Sequence, residues 1–432
     1  MKQFFARQVP SVSVAVTNKT PRVRGRGDRP IRVLYSFGLK LGGGRVNGIA
    51  WQQINGLANA GADVLAYPGV NGTPLPPQVR IRPTLARGKF RISYKLVGRL
   101  RAYAWHDYVV SRRLERLAGN VDIVHTWPMG SLRTLRTAAE LGIPTVYERP
   151  NAHTQFAYEV VQEECERLGV SMPSQHEHTF NNDVLLIEYE EYRLASRLLC
   201  PSDFVMQTFI ERGFPPKKLA RHQYGFDQNL FYSNGQPQTA NRGLTMLFVG
   251  GCAPRKGLHF ALEAWLKSPA HHDGTFLIVG EFIPGYAEKL APMLSAPSVR
   301  VLGQRTDVGD LMRKSDLFVL PSLEEGSALV TYEARGSGCV LLVSDASGAV
   351  CKHMENALVH HVADVAALTN HITMLHNDRE LLANLRSASI STAHHITWKA
   401  AGRRLLEVYE EVIRDSSRLS YSAKKPFGVA DL

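Results

Sequence analysis

The chain has 432 residues, 44% hydrophobic and 21% charged, which excludes a single small module and a wholly disordered polypeptide. Its formal net charge of +12 is uneven, because residues 1–120 carry 21 basic and 4 acidic side chains and leave 30 and 35 for the remainder. A front of that sign meets something anionic: nucleic acid, a phospholipid surface or a phosphorylated substrate.

Residues 1–29 close in NKTPRVRGRGDRP, without an apolar period, and read as a flexible basic leader. The opening MKQFFARQVPSVSVAV is broken by Arg7 and Pro10, which argues against a signal-peptide core. From Ile31 onward short β-rich runs alternate with longer helical patterns, the mark of βαβ units and a parallel sheet. IRVLYSF, DVLAYPG, VDIVHTW and IPTVYERP are predicted strands, with WQQINGLANAGA the first helix. Asn182–Ser196 and SDFVMQTFIERG are predicted helices flanking the strand RLLCPS. Residues 223–243 then lose periodicity and gather Asn, Gln and Gly, which places a domain boundary there. Alternation resumes with TMLFVGG, TFLIVGE, VRVLG, DLFVLPS and CVLLVSD, and the last long helix is expected from Trp398 to Ser416. The expected division is a leader 1–29, a first domain 30–223, a hinge 224–243, a second domain 244–400, a closing helix 401–416 and a loose tail 417–432.

Five scattered cysteines with no C-x-x-C pair argue against a disulfide framework or a Cys-based zinc site and favour a reducing compartment. No apolar run approaches the roughly 20 residues of a membrane-spanning helix. The expectation is a cytoplasmic protein, soluble or resting on the inner face of a membrane.

The most informative segment is PSLEEGSALVTYEARGSG, residues 321–338, directly after the strand DLFVL. Ligands of open parallel sheets bind where strand carboxyl ends turn into helices. Gly326 allows close backbone approach there, and the N–H groups of Ser327, Ala328, Leu329 and Val330 at the helix start suit an anion. Glu325 and Glu333, eight positions apart, put one carboxylate at the mouth and one deeper, a spacing suited to gripping two hydroxyl-rich parts of an elongated ligand. Either acid alone reads as an ordinary solvated group. Residues 248–265, FVGGCAPRKGLHFALEAW, repeat the arrangement: Gly250 and Gly251 turn the chain, and Lys256, with Arg255 beside it, is placed to neutralise a diphosphate. The P-loop spacing is missing. At the front, Gly42, Gly43, Gly44 and Arg45 follow the first strand, where a backbone can wrap a phosphate or sugar, although the dinucleotide fingerprint fails.

Taken together, E-G-S-A-L-V-T-Y-E-A (325–334) and G-G-C-A-P-R-K-G (250–257) resemble the signatures of retaining glycosyltransferases of the GT-B fold, glycosyltransferase family 4 (group 1). The resemblance covers most of residues 31–415. It implies two Rossmann-like parallel-sheet domains facing each other across a cleft, with the last long helix packing back across the hinge. It also implies a nucleotide-diphosphate sugar as donor substrate, with no cofactor, and a glycan, lipid-linked or small-molecule acceptor. Glu325 would contact donor-sugar hydroxyls, Glu333 the ribose, Lys256 the departing diphosphate, and His153 would line the sugar pocket. Three positions depart from the family pattern: Gly251 stands where an Arg is usual, and Ser327 and Ala328 replace Phe and Gly. Negative charge building on the leaving diphosphate calls for preorganised cations and amide dipoles. No D-x-D occurs, so a metal-free site is expected. His176-Glu177-His178 reads as a polar loop and no metal site is expected.

Ten Lys and Arg between Arg82 and Arg116, interleaved with Tyr94, Tyr103, Trp105 and Tyr108, suit either a solvated face or contact with anionic lipid. A sugar phosphorylase or nucleotide-sugar epimerase is the competing reading within the fold. A basic nucleic-acid-binding protein is the competitor from another class, and the absence of a recognisable nucleic-acid module weighs against it.

Overall fold

A computed structural model describes residues 29–87, 90–92, 97–174, 176–235 and 243–422. Nearly all of the basic leader, the Asn- and Gln-rich part of the boundary segment, the tail beyond 422, and Lys89, Tyr94 and Lys95 of the basic stretch lie outside the described residues.

The first sheet has seven strands: β1 (Arg32–Leu41), β2 (Asp63–Asn71), β3 (Arg80–Ile81), β6 (Ile123–Thr126), β7 (Thr145–Glu148), β8 (Arg197–Cys200) and β9 (Leu219–Arg221), in the order β3-β2-β1-β6-β7-β8-β9. The short pair β4 (Ala86–Arg87) and β5 (Phe90–Arg91) stands apart from it. The second sheet has six: β10 (Thr245–Val249), β11 (Thr275–Val279), β12 (Val299–Gly303), β13 (Leu317–Leu320), β14 (Val340–Ser344) and β15 (Ala357–His360), in the order β12-β11-β10-β13-β14-β15. All pairings within these two sheets are parallel. That arrangement explains why runs such as LFVL and VLLVS are continuously apolar: helices cover both faces, so every position is buried.

Each sheet reverses its winding once, between β1 and β6 and between β10 and β13. A crevice opens outside the carboxyl ends of the strands at such a switch point. The segments leaving β10 and β13 are residues 250–257 and 321–328, and the segments leaving β1, β6 and β7 hold the glycine turn, Trp127–Met129 and Arg149–His153.

The final helix, Trp398–Ser422, runs further than its periodicity predicts. Its Leu405, Val408, Tyr409 and Val412 join Ile54 and Leu57 of the Arg45–Asn59 helix in the core of the first lobe. The chain leaves the first lobe past Phe226 and returns at Thr397, and these two passages are joined by a parallel bridge.

Candidate functional site

After β10 the backbone turns through Gly250 and Gly251, makes a single 3-10 turn at Pro254–Lys256, and enters the Leu258–Lys267 helix. Gly257 has φ +68°, and a Cβ there would lie 2.0 Å from the Pro321 carbonyl oxygen. Only glycine lets this turn press against the segment leaving β13. Leu323 N–H donates to Arg255 O at 2.9 Å, locking the two segments together.

This brings Glu324, Glu325, Arg255 and Lys256 into one group. Lys256 Nζ donates to Glu325 Oε1, and Arg255 Nη1 lies 3.1 Å from the same oxygen and 3.3 Å from Glu324 Oε2. Burial pushes the Glu325 carboxyl up, but Arg255 and Lys256 outweigh it and hold the group ionised. Lys256 is lowered, chiefly by burial. The side chains of Arg255 and Lys256 remain 11% and 17% exposed, open enough to meet a ligand. Without a ligand, both cations are already neutralised by carboxylates.

At Gly326 the two lobes touch backbone to backbone. A Cβ on it would fall 1.6 Å from the Pro150 carbonyl oxygen, and its own carbonyl accepts from Ser202 Oγ at 2.5 Å. Ser327 is turned inward, with its hydroxyl 2.8 Å from Gly348 O and 2.7 Å from the Tyr332 hydroxyl. The Ala328 amide is spent on Ser347 O at 3.3 Å, so Leu329 and Val330 are left as the free donors of the Leu329–Gly336 helix start. Glu333 lies on that helix, half-buried, with no hydrogen bond or ion pair among the described residues, and burial pushes its carboxyl up to about 7.

The structure does not bring His153 to this group. Its ring is fully buried among Tyr189, Tyr192, Phe209 and Phe214, with centroids 5.0 to 5.9 Å away, and both ring nitrogens lack partners. Burial drives it down to about 3, so it is neutral. The expectation that His153 lines a sugar pocket is corrected: an aromatic cage has taken the ring. Gly251, by contrast, faces open space, with nothing within 4 Å of where a Cβ would stand. Gly42–Gly44 form the turn from β1 into the Arg45–Asn59 helix, and Leu39 and Val46 on either side of it line one cavity with His176.

Two residues of weight were not singled out by sequence reasoning. Glu324, fully buried, accepts from the Ala152 N–H at 3.4 Å and lies 3.1 Å from His178 Nε2, so a second-lobe carboxylate is held by two first-lobe groups and by Arg255. Residues 176–178 form a turn, as the polar pattern suggests, with Glu177 exposed and His178 buried. Arg149, also buried, donates to Glu188 Oε1 at 3.1 Å and to Ala152 O and Thr154 Oγ1 at 3.0 Å. It lines a first-lobe cavity of about 380 Å³ with Phe37, Tyr103, Trp127 and His176, and Pro150–Ala152 border both this cavity and the Glu324–Gly326 segment. Among the described residues no group of three or more His, Cys, Asp or Glu has a metal-binding arrangement.

Burial pushes the Glu324 carboxyl up, but Arg255 and His178 overcome this and hold it at about 2, against an ordinary 4.5. A depressed acid stabilises the fold above its unfolded-state value and loses that contribution as pH falls through its folded value. The contribution, of order 3 kcal/mol, is thus lost between about pH 4.5 and 2. Glu324→Gln is expected to shrink the difference between urea midpoints measured at pH 6 and pH 3; an unchanged difference counts against this role.

Residues 46–229 match the family described as Glycosyltransferase Family 4, and residues 243–378 match Glycosyl transferases group 1. The UDP-Gal:alpha-D-GlcNAc-diphosphoundecaprenol alpha-1,3-galactosyltransferase of Escherichia coli is 32% identical over 278 residues, 60% of this chain and 67% of its own length. The N,N'-diacetylbacillosaminyl-diphospho-undecaprenol alpha-1,3-N-acetylgalactosaminyltransferase of Campylobacter jejuni is 30% identical over 124 residues, 28% of this chain; the match spans only 33% of that protein's length. Among solved structures, Anabaena Alr3699/HepE in complex with UDP superposes with a TM-score of 0.60 at 17% identity, covering 88% of this chain and 100% of that one. The apo lipopolysaccharide outer core galactosyltransferase WaaB gives 0.62 at 11%, covering 88% and 99%. At those identities the superpositions speak to the shared fold.

Proposed function

The chain belongs to the group 1, family 4 glycosyltransferases of GT-B fold, and from this premise we propose that it moves a sugar from a nucleotide-diphosphate sugar to a lipid-linked or lipopolysaccharide acceptor, with retention of anomeric configuration and without a metal. The observation that carries the reading is the convergence of Lys256, Arg255 and Glu325 beside the Leu329–Gly336 helix start. A departing diphosphate takes over Lys256 and Arg255 from the carboxylates that hold them, and the Leu329 and Val330 amides add positive dipole where its charge grows. Glu325, released from Lys256, faces the sugar hydroxyls, and Glu333 accepts from the ribose. The sequence pattern that implies retention is the same Glu–Glu segment; no residue is assigned as a covalent nucleophile.

A uridine nucleotide is favoured because the Escherichia coli relative is named for UDP-Gal and the Anabaena structure holds UDP. A lipid-diphosphate acceptor is favoured by the names of two relatives. The cavity lined by Arg149 and Trp127 is the acceptor side. No described helix is long and apolar enough to cross a membrane.

The test supplies UDP-glucose, UDP-galactose or UDP-N-acetylgalactosamine with a sugar-diphospho-undecaprenol acceptor, and reads the product by mass and its anomeric configuration by NMR. Elongated acceptor with the donor's configuration is expected. Sugar appearing on inorganic phosphate, or an isomerised donor without transfer, would overturn the assignment.

A further inference from the structure

A second cavity, of about 660 Å³, lies between β2, β3, the β4–β5 pair and the Arg99–Arg116 helix. It is lined by a different stretch of that helix, Val109 and Arg113, from the Arg99, Leu100 and Tyr103 that border the cleft cavity. Three arginines line it, Arg82, Arg91 and Arg113, each exposed and none with a carboxylate partner among the described residues. Arg80, one residue before Ile81 of the lining, is by contrast already paired with Asp63 at 2.8 Å. Tyr67, 5% exposed, lines the same space, and its hydroxyl has no hydrogen bond among the described residues. Burial raises that phenol, while the charges of Arg113, Arg82 and Arg80 pull the other way.

Like charges converging on one space without an acid repel each other, and an anion relieves them. Guanidinium groups match phosphate oxygens in paired contacts. A volume in the range of small-molecule sites, with Val70 and Val109 in the wall, suits a phosphate bearing an organic group better than a bare ion. We propose that this cavity is a phosphate-ester site, separate from the donor cleft, in which Arg82, Arg91, Arg113 and the Tyr67 hydroxyl hold the phosphate. The ester is either the headgroup of a membrane phospholipid or a soluble metabolite. Trp105 and Tyr108, 47% and 45% exposed on the same helix, lie beside it where amphipathic rings meet a lipid interface.

The test uses the full chain and reads binding, so it does not depend on the transfer reaction. Glycerol 3-phosphate is titrated calorimetrically, and flotation is measured with phosphatidylglycerol and with phosphatidylcholine vesicles. Two double variants remove equal charge: Arg82→Ala with Arg113→Ala inside the cavity, and Arg101→Ala with Arg116→Ala on the exposed part of the helix. The cavity variant is expected to bind at least about tenfold more weakly, from the loss of two charge-assisted contacts, and the outer variant within about twofold of the native chain. Binding of glycerol 3-phosphate assigns the soluble ester; binding only to phosphatidylglycerol vesicles, with the same variant pattern, assigns the lipid. Equal losses in the two variants, or no binding of either probe by the native chain, overturn the proposal.

Discussion

Glu325→Gln is expected to lower turnover by about a hundred- to a thousandfold, the usual range for removing one preorganised electrostatic group, while UDP binds at least as tightly as to the native chain. The two effects have opposite signs because Glu325 holds Lys256 and shares Arg255. A neutral amide no longer competes with an incoming diphosphate for those cations, yet it cannot serve the sugar as a carboxylate does. Arg255 keeps Glu324 as a partner, so no cation of the group is left wholly uncompensated apart from Lys256. Calorimetric UDP binding and single-turnover transfer separate the alternatives: a merely structural Glu325 would lose affinity and rate together, and unchanged turnover would refute its placement at the sugar.

Gly326→Ala carries the second large effect. The added methyl would meet the backbone of Pro150, which cannot swing aside as a side chain would, so the lobes are held apart at this contact. The second lobe itself has no reason to unfold, because the obstruction belongs to the opposite lobe. Transfer is expected to fall by about a hundredfold or more, as misplacing reacting groups by an ångström does, while UDP affinity changes little. Small-angle scattering should report a more open particle. A variant with native compactness and native rate would mean that Gly326 and Pro150 do not meet in the active state.

What the sequence made legible is what neighbouring residues decide. The positions of Lys256 and Glu325 follow from a strand, a glycine turn and a helix start within about twenty residues, and the apolar runs on either side mark the strands. What escaped it depends on partners far along the chain. Glu324 acquires its role from His178, 146 positions away, and from the Ala152 amide, and no local pattern distinguishes it from the acid beside it. His153 failed for the converse reason: the loop holding it resembles a family motif, but Tyr189, Tyr192, Phe209 and Phe214 close around the ring only in the folded chain. The arginine-lined cavity was visible as composition, a run of basic residues, without any indication that three of them share one space.

The bridge between Phe226 and Thr397 has a mechanical meaning. A single flexible cord between two bodies permits them to twist, tilt and slide. Two spans of polypeptide laced side by side act as a door pin, leaving swing about one axis and suppressing rotation about the others. A swing about that one axis would return Pro150 to the same seat beside Gly326, so the fit between the lobes is written into the crossing itself.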